Sequence, residues 1–387
     1  MNPIMDSCCG IDVHKDMIEA CIVDEFFHPK KLQKQFQTTP SALQEFVLWL
    51  QENECRYVAM ESTGVYWRPV YEAIETFFGD QCSIFVANAH EVKNVPGRKS
   101  DVKDAEWIAT LMQHGLLKPS FVPERLIRDL REYSRSYKNA QSEKSRCINR
   151  MEKFLQTHGF KLSEVLSDIT SKSGIRILTL LAEKGSLTLE EVEKAKSSNT
   201  KHTATEIQTA ICGKLNANEC FLLDDFLEQF QTISRHIEKL LAKMKSMVEP
   251  YQDFIAQMDS IVGIDITASL LILAEIGGNP QDNFQNAGSL CAWAGLVPRN
   301  DKSNKVMKSL KIMPGNQYLK SILCQCARVA VRSRKNSFSV WYWSHRSKLG
   351  DKKAIIAVSR KMLALIYYLH VNNTLYDRHL ALNNLKI

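Results

Sequence analysis

The chain has 387 residues, 44% hydrophobic and 24% charged, which fits a globular protein of two or three domains and excludes a disordered or fibrous one. No apolar run reaches the ~18 residues of a membrane span, and residues 1–10 lack the basic and apolar regions of a signal peptide, so a cytoplasmic protein is expected. The net charge of +7 is unevenly placed: residues 301–361 hold 15 Lys or Arg against two Asp and no Glu, a net +13, leaving −6 for the rest.

Cys8–Val13 and Met17–Val23 read as two strands joined by a polar turn at His14, Lys15 and Asp16. Asp12 stands near the end of the first. Phe26–Thr38 is a third strand with an irregular start at Pro29. Ser41–Glu52 has the helical period, with Leu43, Phe46, Val47 and Leu50 on one face and Ser41 or Thr39 as cap. Tyr57–Met60 is a short buried strand with Glu61 at its end. A helix over 65–78 and a strand over 83–87 follow. Gly97 after Pro96 marks a loop, Ser100 is an N-cap candidate, and Ala105, Ile108, Ala109 and Met112 give the next helix an apolar face. The order β-β-β-α-β-α-β-α predicts a ribonuclease-H-like α/β domain, whose ligands gather at strand ends.

Asp101 and Asp104 lie three apart and share one helix face. Acids in a first helical turn also complement the helix dipole. Asp12 alone reads as a turn acid, and Glu61 alone as a surface acid. Four carboxylates in the order D…E…D-x-x-D, each at an element end, point instead to a divalent-cation site. Mg²⁺ takes oxygen ligands, and paired ions clamp the attacking and leaving oxygens of a phosphodiester. His14 and His90 are read as hydrogen-bonded structural residues, not ligands.

From Glu124 to about His158 there is no Gly or Pro, and Arg or Lys recurs at 125, 128, 131, 135, 138, 144, 146 and 150. A long helix fits, acting as a spacer or coiled-coil arm, or tracking nucleic acid with its basic face. Residues 160–212 read as short helices with Ser- and Lys-rich breaks and no chemical motif. Asn218–Tyr251 is again helical, with Leu222, Phe226, Phe230, Ile233, Ile237 and Leu240 at core spacing. It suits an antiparallel partner for the first long helix, within or between subunits. Eleven scattered Cys without a CxxC pair point to reduced, mostly buried thiols and away from a zinc site or disulfide framework.

A last domain starts near Asp253. Ile261–Ala268 is similar to part of a helix-hairpin-helix turn, which offers backbone N–H groups to phosphate. Ser303 sits in a polar loop among Lys302, Lys305 and Lys308; an isolated serine hydroxyl needs a base or a cationic setting to attack. Trp341, Tyr342 and Trp343 interleave with Arg346 and Lys348, and residues 352–368 form a final amphipathic helix. So many cations without acids should meet a polyanion, nucleic acid first.

Four stretches occur in order: Gly10-Ile11-Asp12-Val13-His14-Lys15, Glu61-Ser62-Thr63-Gly64, Lys99-Ser100-Asp101-x-x-Asp104-Ala105, and Ala294-Gly295-Leu296-x-Pro298-x-x-x-x-Ser303. Together they resemble the IS-one-ten (IS110) family of insertion-sequence transposases, related to Piv-type DNA invertases, over nearly the whole chain. The resemblance implies a RuvC-like domain over 1–122, a helical coiled-coil region over 123–252 and a C-terminal transposase domain over 253–387. It implies Asp12, Glu61, Asp101 and Asp104 as metal ligands, a divalent metal such as Mg²⁺ as cofactor, and Ser303 as nucleophile. It further implies double-stranded target and donor DNA and a bridge RNA as partners, a composite site, and a homodimer or homotetramer with no membrane. Two features depart from the family. Ser303-Asn304-Lys305 lacks the Gly that usually follows the serine, which leaves Ser309 as a second candidate, although Gly315-Asn316 keeps its distance. Residues 160–212 are longer than the family leads one to expect and read as an element-specific insertion. Other activities compatible with the residues are a metal-dependent junction nuclease that does not use Ser303, a site-specific invertase without a guide, and a non-catalytic nucleic-acid-binding protein. No GxxxxGK[ST] motif is present, in keeping with a transesterification that needs no nucleotide triphosphate.

Overall fold

The apolar run of residues 7–24 breaks at His14-Lys15-Asp16, and the chain folds back there. Strand β1 (Ser7–Val13) pairs antiparallel with β2 (Met17–Asp24), Asp12 facing Glu19, and His14 N–H donates to the Met17 carbonyl at 2.9 Å. The computed structural model describes residues 4–24, 30–62, 64–88, 92, 104–298, 301–303, 306–309, 312–334 and 336–377, with backbone alone at 30, 301–303 and 306–309. The chain divides into two units, Met1–Val122 and Pro123–Ile387.

In the first unit β3 (Lys30–Gln37) extends the hairpin; the predicted beginning of that strand at Phe26 lies outside the described residues. Helix α1 (Pro40–Glu52) is capped by Thr39, whose hydroxyl accepts from Ala42 N–H, and buries Leu43, Phe46, Val47 and Leu50. Strand β4 (Tyr57–Glu61) pairs parallel with β1; helix α2 (Trp67–Phe78) and β5 (Ser83–Ala87) follow, then α3 (Asp104–Gln113). The five-stranded sheet has the order β3-β2-β1-β4-β5. It is antiparallel on the hairpin side and parallel on the other, so the crossover helices must lie on its faces.

The two sheet faces are covered differently. Ile11, Val13, Ile18, Val58 and Met60 pack with Phe46, Leu50 and Ile74 of α1 and α2. The alternate residues Cys8, Ala59 and Ala87 pack with Ile108, Leu111 and Met112 of α3. Buried thiols fill much of this core. Burial pushes Cys8 up to about 12 and Cys55 to about 11, so these thiols stay protonated and apolar in behaviour.

The second unit is built on two long helices, α4 (Arg125–Thr157) and α6 (Ala217–Met247), which run antiparallel within the chain. Tyr251 Oη donates to Glu124 Oε1 at one end, and Phe154 meets Phe226 edge-on at 5.9 Å toward the other. Between them in sequence, α5 (Lys172–Lys184) and the short helices Leu162–Val165, Leu189–Ala195 and Ala204–Ala210 form a lobe. Ile177, Leu181, Val192 and Ile207 bury against Met151, Leu155, Leu223 and Leu227 of the long pair. The sequence reading put Leu222 in this seam. Leu222 is exposed and Leu223 is buried, because the stripe that faces α4 and the lobe runs through 223, 227 and 230.

Beyond the pair come helix Gln252–Asp259, α7 (Ile266–Ile276), the short helices Pro280–Asn283 and Ala287–Trp293, α8 (Gln317–Arg332), α9 (Ser337–Leu349) and α10 (Asp351–Val371). By length and composition alone α10 could cross a membrane. Its sequence, expected above to form an amphipathic helix, carries Arg360-Lys361 at its middle. Here α10 packs against α8, α9 and Ala287–Trp293, burying Ile355, Val358, Met362, Leu363, Leu365 and Ile366.

One contact fixes where α3 lies. A Cβ on Gly10 would stand 2.0 Å from the Ala105 carbonyl oxygen and 2.4 Å from Ala109 N. Backbone therefore touches backbone, and only glycine leaves room. Gly10→Ala is expected to destabilise the full chain by about 3 kcal/mol or more, since neither the strand nor the helix backbone can give way cheaply. Urea unfolding followed by circular dichroism measures this; a variant within about 0.5 kcal/mol of the parent would contradict the contact.

Candidate active site

The register of the sheet sets the position of the first acids. The last paired residues of β1 and β4 are Ile11 and Met60, so Asp12 and Glu61 come next, side by side on neighbouring strands. In a parallel pair, matched residues share a face. Cys8 and Gly10 on β1, and Tyr57 and Ala59 on β4, all face α3; Asp12 and Glu61 therefore project on that same side. Helix α3 rests its Ala105 on Gly10 and its Met112 near Cys8, so it runs antiparallel to β1. Its first residue, Asp104, is thus brought to the end of the sheet that carries Asp12 and Glu61.

Glu19, which pairs across the hairpin with Asp12, adds another carboxylate on this face. A three-residue turn at 14–16, as the sequence suggests, would pair residue 12 with residue 18; the turn spans 14–17 and brings Glu19 opposite Asp12 instead. His14 Nε2 lies 3.1 Å from Asp12 Oδ2, with Asp12 only 25% exposed. His14 thus acts as a neighbour that orients Asp12. Asp101, Ser100 and His90 lie outside the described residues.

Among the described residues no three His, Cys, Asp or Glu side chains are grouped closely enough to cage a metal ion. Mg²⁺ does not need such a cage, since it binds through one or two carboxylates and keeps water and substrate phosphate as its other ligands. Carboxylate oxygens from Asp12, Glu61 and Asp104 are the donor type that a hard cation takes, and buried, protonated thiols such as Cys8 do not compete for it.

The predicted nucleophile belongs to the second unit. The sequence places Ser303 in a polar loop; its backbone lies instead in a two-stranded ribbon, β6 (Asp301–Ser303) with β7 (Val306–Ser309), Ser303 opposite Val306. The alternation of Val306 and Lys308 was masked by the surrounding lysines. The base of the ribbon is closed by a bridge between Pro298 and Ile312 and by the Met313 N–H donating to the Val297 carbonyl at 3.2 Å. Below it two glycines meet: a Cβ on Gly315 would stand 2.3 Å from Gly295 N, and Gly295 itself has φ +72°. The paired chains cross here with no room for a side chain.

Asn316, the next residue, ties the ribbon to the helices. Its side chain accepts from Leu319 N–H to cap α8, and its Nδ2 donates to Glu275 Oε2 at 2.6 Å. Glu275 is fully buried at the end of α7. Arg135 donates to both of its oxygens at 3.1 Å, and Arg131 donates to the Ala274 and Glu275 carbonyls at 2.9 Å. Arg135 also stacks on Tyr318, 4.5 Å from the ring centre. Arg128 is buried and donates to the Pro123 carbonyl. Of the cations on α4, Arg128, Arg131 and Arg135 thus have partners within the protein, whereas Arg125, Arg146 and Arg150 are exposed. The signal for this was Glu275, a lone charge in the apolar run SLLILAEI, which needs a buried partner.

Strand register and the Gly10 contact thus direct Asp12, Glu61 and the start of α3 toward one end of the sheet, while Ser303 lies on a separately braced ribbon. An α/β unit with carboxylates at the strand ends and a helical unit rich in cations are the parts of a nucleic-acid enzyme. Two family profiles agree and make it specific. Residues 9–160 match the DEDD transposase family of IS110, described as a transposase, and residues 256–342 match the transposase of the IS116/IS110/IS902 family. The chain belongs to the IS110 family of insertion-sequence transposases, enzymes that cleave and recombine DNA. No curated protein matches it. Two solved structures of RuvC from Thermus thermophilus, one in complex with a Holliday junction substrate, resemble part of the chain at 15% identity and a TM-score of 0.23. They cover 30% of this chain and 100% and 99% of their own.

Glu275→Ala would leave two guanidinium groups around a buried void. Loss of one partner of a buried pair costs about 3–5 kcal/mol; with Arg131 18% and Arg135 40% exposed, water recovers part of that, and about 3 kcal/mol is expected. Glu275→Gln, which keeps the shape and one acceptor, should cost less. The test is the shift in the urea midpoint of each variant; equal stability of Glu275→Ala and the parent would show that the network is dispensable.

Proposed function

We propose that this transposase exchanges DNA strands by transesterification, with Ser303 as nucleophile and Asp12, Glu61, Asp101 and Asp104 as a divalent-metal site. The observation that carries this reading is the register of β1 and β4 with the Gly10 contact, which directs Asp12, Glu61 and the start of α3 to one end of one sheet face. Asp12, Glu61, Asp101 and Asp104 would hold a divalent cation such as Mg²⁺, which would supply positive charge against the charge that builds on the phosphate.

The residues of the chain do the rest. Ser303 Oγ forms a bond to phosphorus as the phosphate's bond to the leaving strand breaks. The serine proton passes to the oxygen of the leaving strand, which departs as a hydroxyl. The hydroxyl of the incoming strand then attacks the phosphoserine, re-forming a phosphodiester and returning the proton to serine. Bond energy is conserved in each step. Lys302, Lys305 and Lys308 give the serine the cationic setting that lowers the cost of its alkoxide. The second unit's basic stretch, 301–361, holds DNA backbones without reading sequence. Choice of target and donor DNA is delegated to a bridge RNA, and the enzyme works in the cytoplasm as a homodimer or homotetramer.

Purified protein incubated with Mg²⁺, RNA transcribed from the flanks of the element and labelled target and donor DNA should yield a covalent protein–DNA adduct on a denaturing gel. Ser303→Ala should remove the adduct. Asp12→Ala and Asp101→Ala should lower strand exchange by about 100-fold or more, as loss of several kcal/mol of charge stabilisation implies, and chelation of the metal should do the same. Cleavage with free ends and no adduct would replace this reading with a hydrolytic nuclease. Exchange that persists in Ser303→Ala would remove the serine mechanism.

A further inference from the structure

From Lys302 to Gly350 the chain carries eleven Lys or Arg and no Asp or Glu. Helix α9 lies in this stretch and has two unlike faces. Phe338, Ser339 and Tyr342 are buried, Tyr342 Oη donating to Asp351 Oδ1 at 2.5 Å. Val340, Trp343, Ser344 and Ser347 are on the solvent side, Val340 66% and Trp343 49% exposed. A half-exposed indole on a helix that already has a buried face contributes little to folding.

The surroundings of Trp343 differ from those of Trp341. Trp341 is half-buried and already stacked, with the His345 ring 4.2 Å away at 11° and Lys361 Nζ 5.4 Å from its centre. Trp343 meets Tyr342 only edge-on, at 81°. The Arg346 guanidinium lies 5.1 Å from the Trp343 ring, one turn further along α9, and Lys348 is exposed two residues beyond. Asp351, the first acid after the stretch, is occupied by Arg328 at 3.6 Å and by Tyr342.

A flat ring with a guanidinium against it and cations alongside matches a nucleobase with its phosphate. Bases stack on such rings without regard to sequence. In a duplex the bases are stacked on each other, so a ring on a helix surface can receive only an unpaired one. A second copy of this chain is disfavoured on the same face, because a two-fold contact would set the acid-free surface against itself. We propose that Trp343 and Arg346 form a stacking platform for an unpaired base of a single-stranded nucleic acid, with Lys348 at a flanking phosphate. This rests on nucleic acid being the partner of the basic stretch, and it adds a site that distinguishes single strands from duplex.

The experiment is equilibrium binding of the full-length protein, by fluorescence anisotropy, to labelled 20-nucleotide probes: a single-stranded DNA, the RNA of the same sequence, an abasic single strand and a blunt duplex. Trp343→Ala should weaken at least one of the base-bearing single strands by about tenfold or more, the range of one lost stack, and change duplex and abasic binding by less than about twofold. Trp343→Phe, which keeps a flat ring, should restore most of the loss, and the unchanged duplex and abasic binding of Trp343→Ala is what a folding defect would not allow. Loss confined to the RNA or to the DNA names the strand that sits there, and either supports the platform. Arg346→Ala should lower single-strand affinity and shallow its salt dependence. Unchanged single-strand affinity in Trp343→Ala, or equal losses on all four probes, overturns the platform but leaves the serine reaction standing. Failure of the parent to bind any probe would overturn both the platform and the nucleic-acid role of the basic stretch. Dissociation of an oligomer by Trp343→Ala with strand affinity unchanged would assign the face to protein contact instead.

Discussion

The first unit depends on a contact between two backbones. At Gly10 the strand presents no side chain, and the opening turn of α3 settles directly on it. Had the residue a Cβ, the helix would be held off by the width of a methyl group, and its N-terminus would not overlie the strand end. The side on which Asp12 and Glu61 project is fixed by the pleat, and the start of α3 lies toward the same strand end because the helix is allowed this close. A single missing carbon therefore links the packing of the sheet to the spacing of the candidate ligands.

The second unit is organised differently, around a buried charge. Glu275 receives two arginines from α4 and an asparagine from the chain leaving the ribbon. Burying a carboxylate is costly unless its oxygens are filled, and here each oxygen accepts hydrogen bonds. The network is weak as a source of stability compared with apolar packing of the same volume, yet it is directional. It joins the long helix, the end of α7 and the cap of α8 in one register, and that register is what the ribbon bearing Ser303 stands on.

Much of this was legible in the sequence. The hairpin, the two parallel strands and their helices follow from period and punctuation, because each has one buried face and each break is marked by polar or turn residues. Asp12 and Glu61 could be placed at strand ends for the same reason. Glu19 escaped notice because its nearness to Asp12 is a matter of register across a turn, not of spacing along the chain. The roles of the arginines of α4 stayed open in the sequence because a charged helix looks the same whether its cations meet solvent or a buried partner; for Arg131 and Arg135, Glu275, more than a hundred residues on, decides. In α6 the expected face holds at Phe226, Phe230, Ile233, Ile237 and Leu240, and only Leu222 gives way to Leu223, a chemically identical neighbour chosen by the lobe it meets. The ribbon at Ser303 was hidden by lysines that carry no periodic signal.

The long helix pair has a mechanical consequence. From the Arg131–Arg135 clamp on α4 to the residues that meet the lobe near Leu155 is a run of some two dozen residues, about 36 Å at 1.5 Å per residue. Over that length a tilt of about 5° at the clamp carries the lobe through about 3 Å, close to a full hydrogen-bond length. The residues that hold Glu275 and those that meet the lobe lie on one continuous helix, so a load on the lobe would be felt at the network from which the chain of the ribbon leaves.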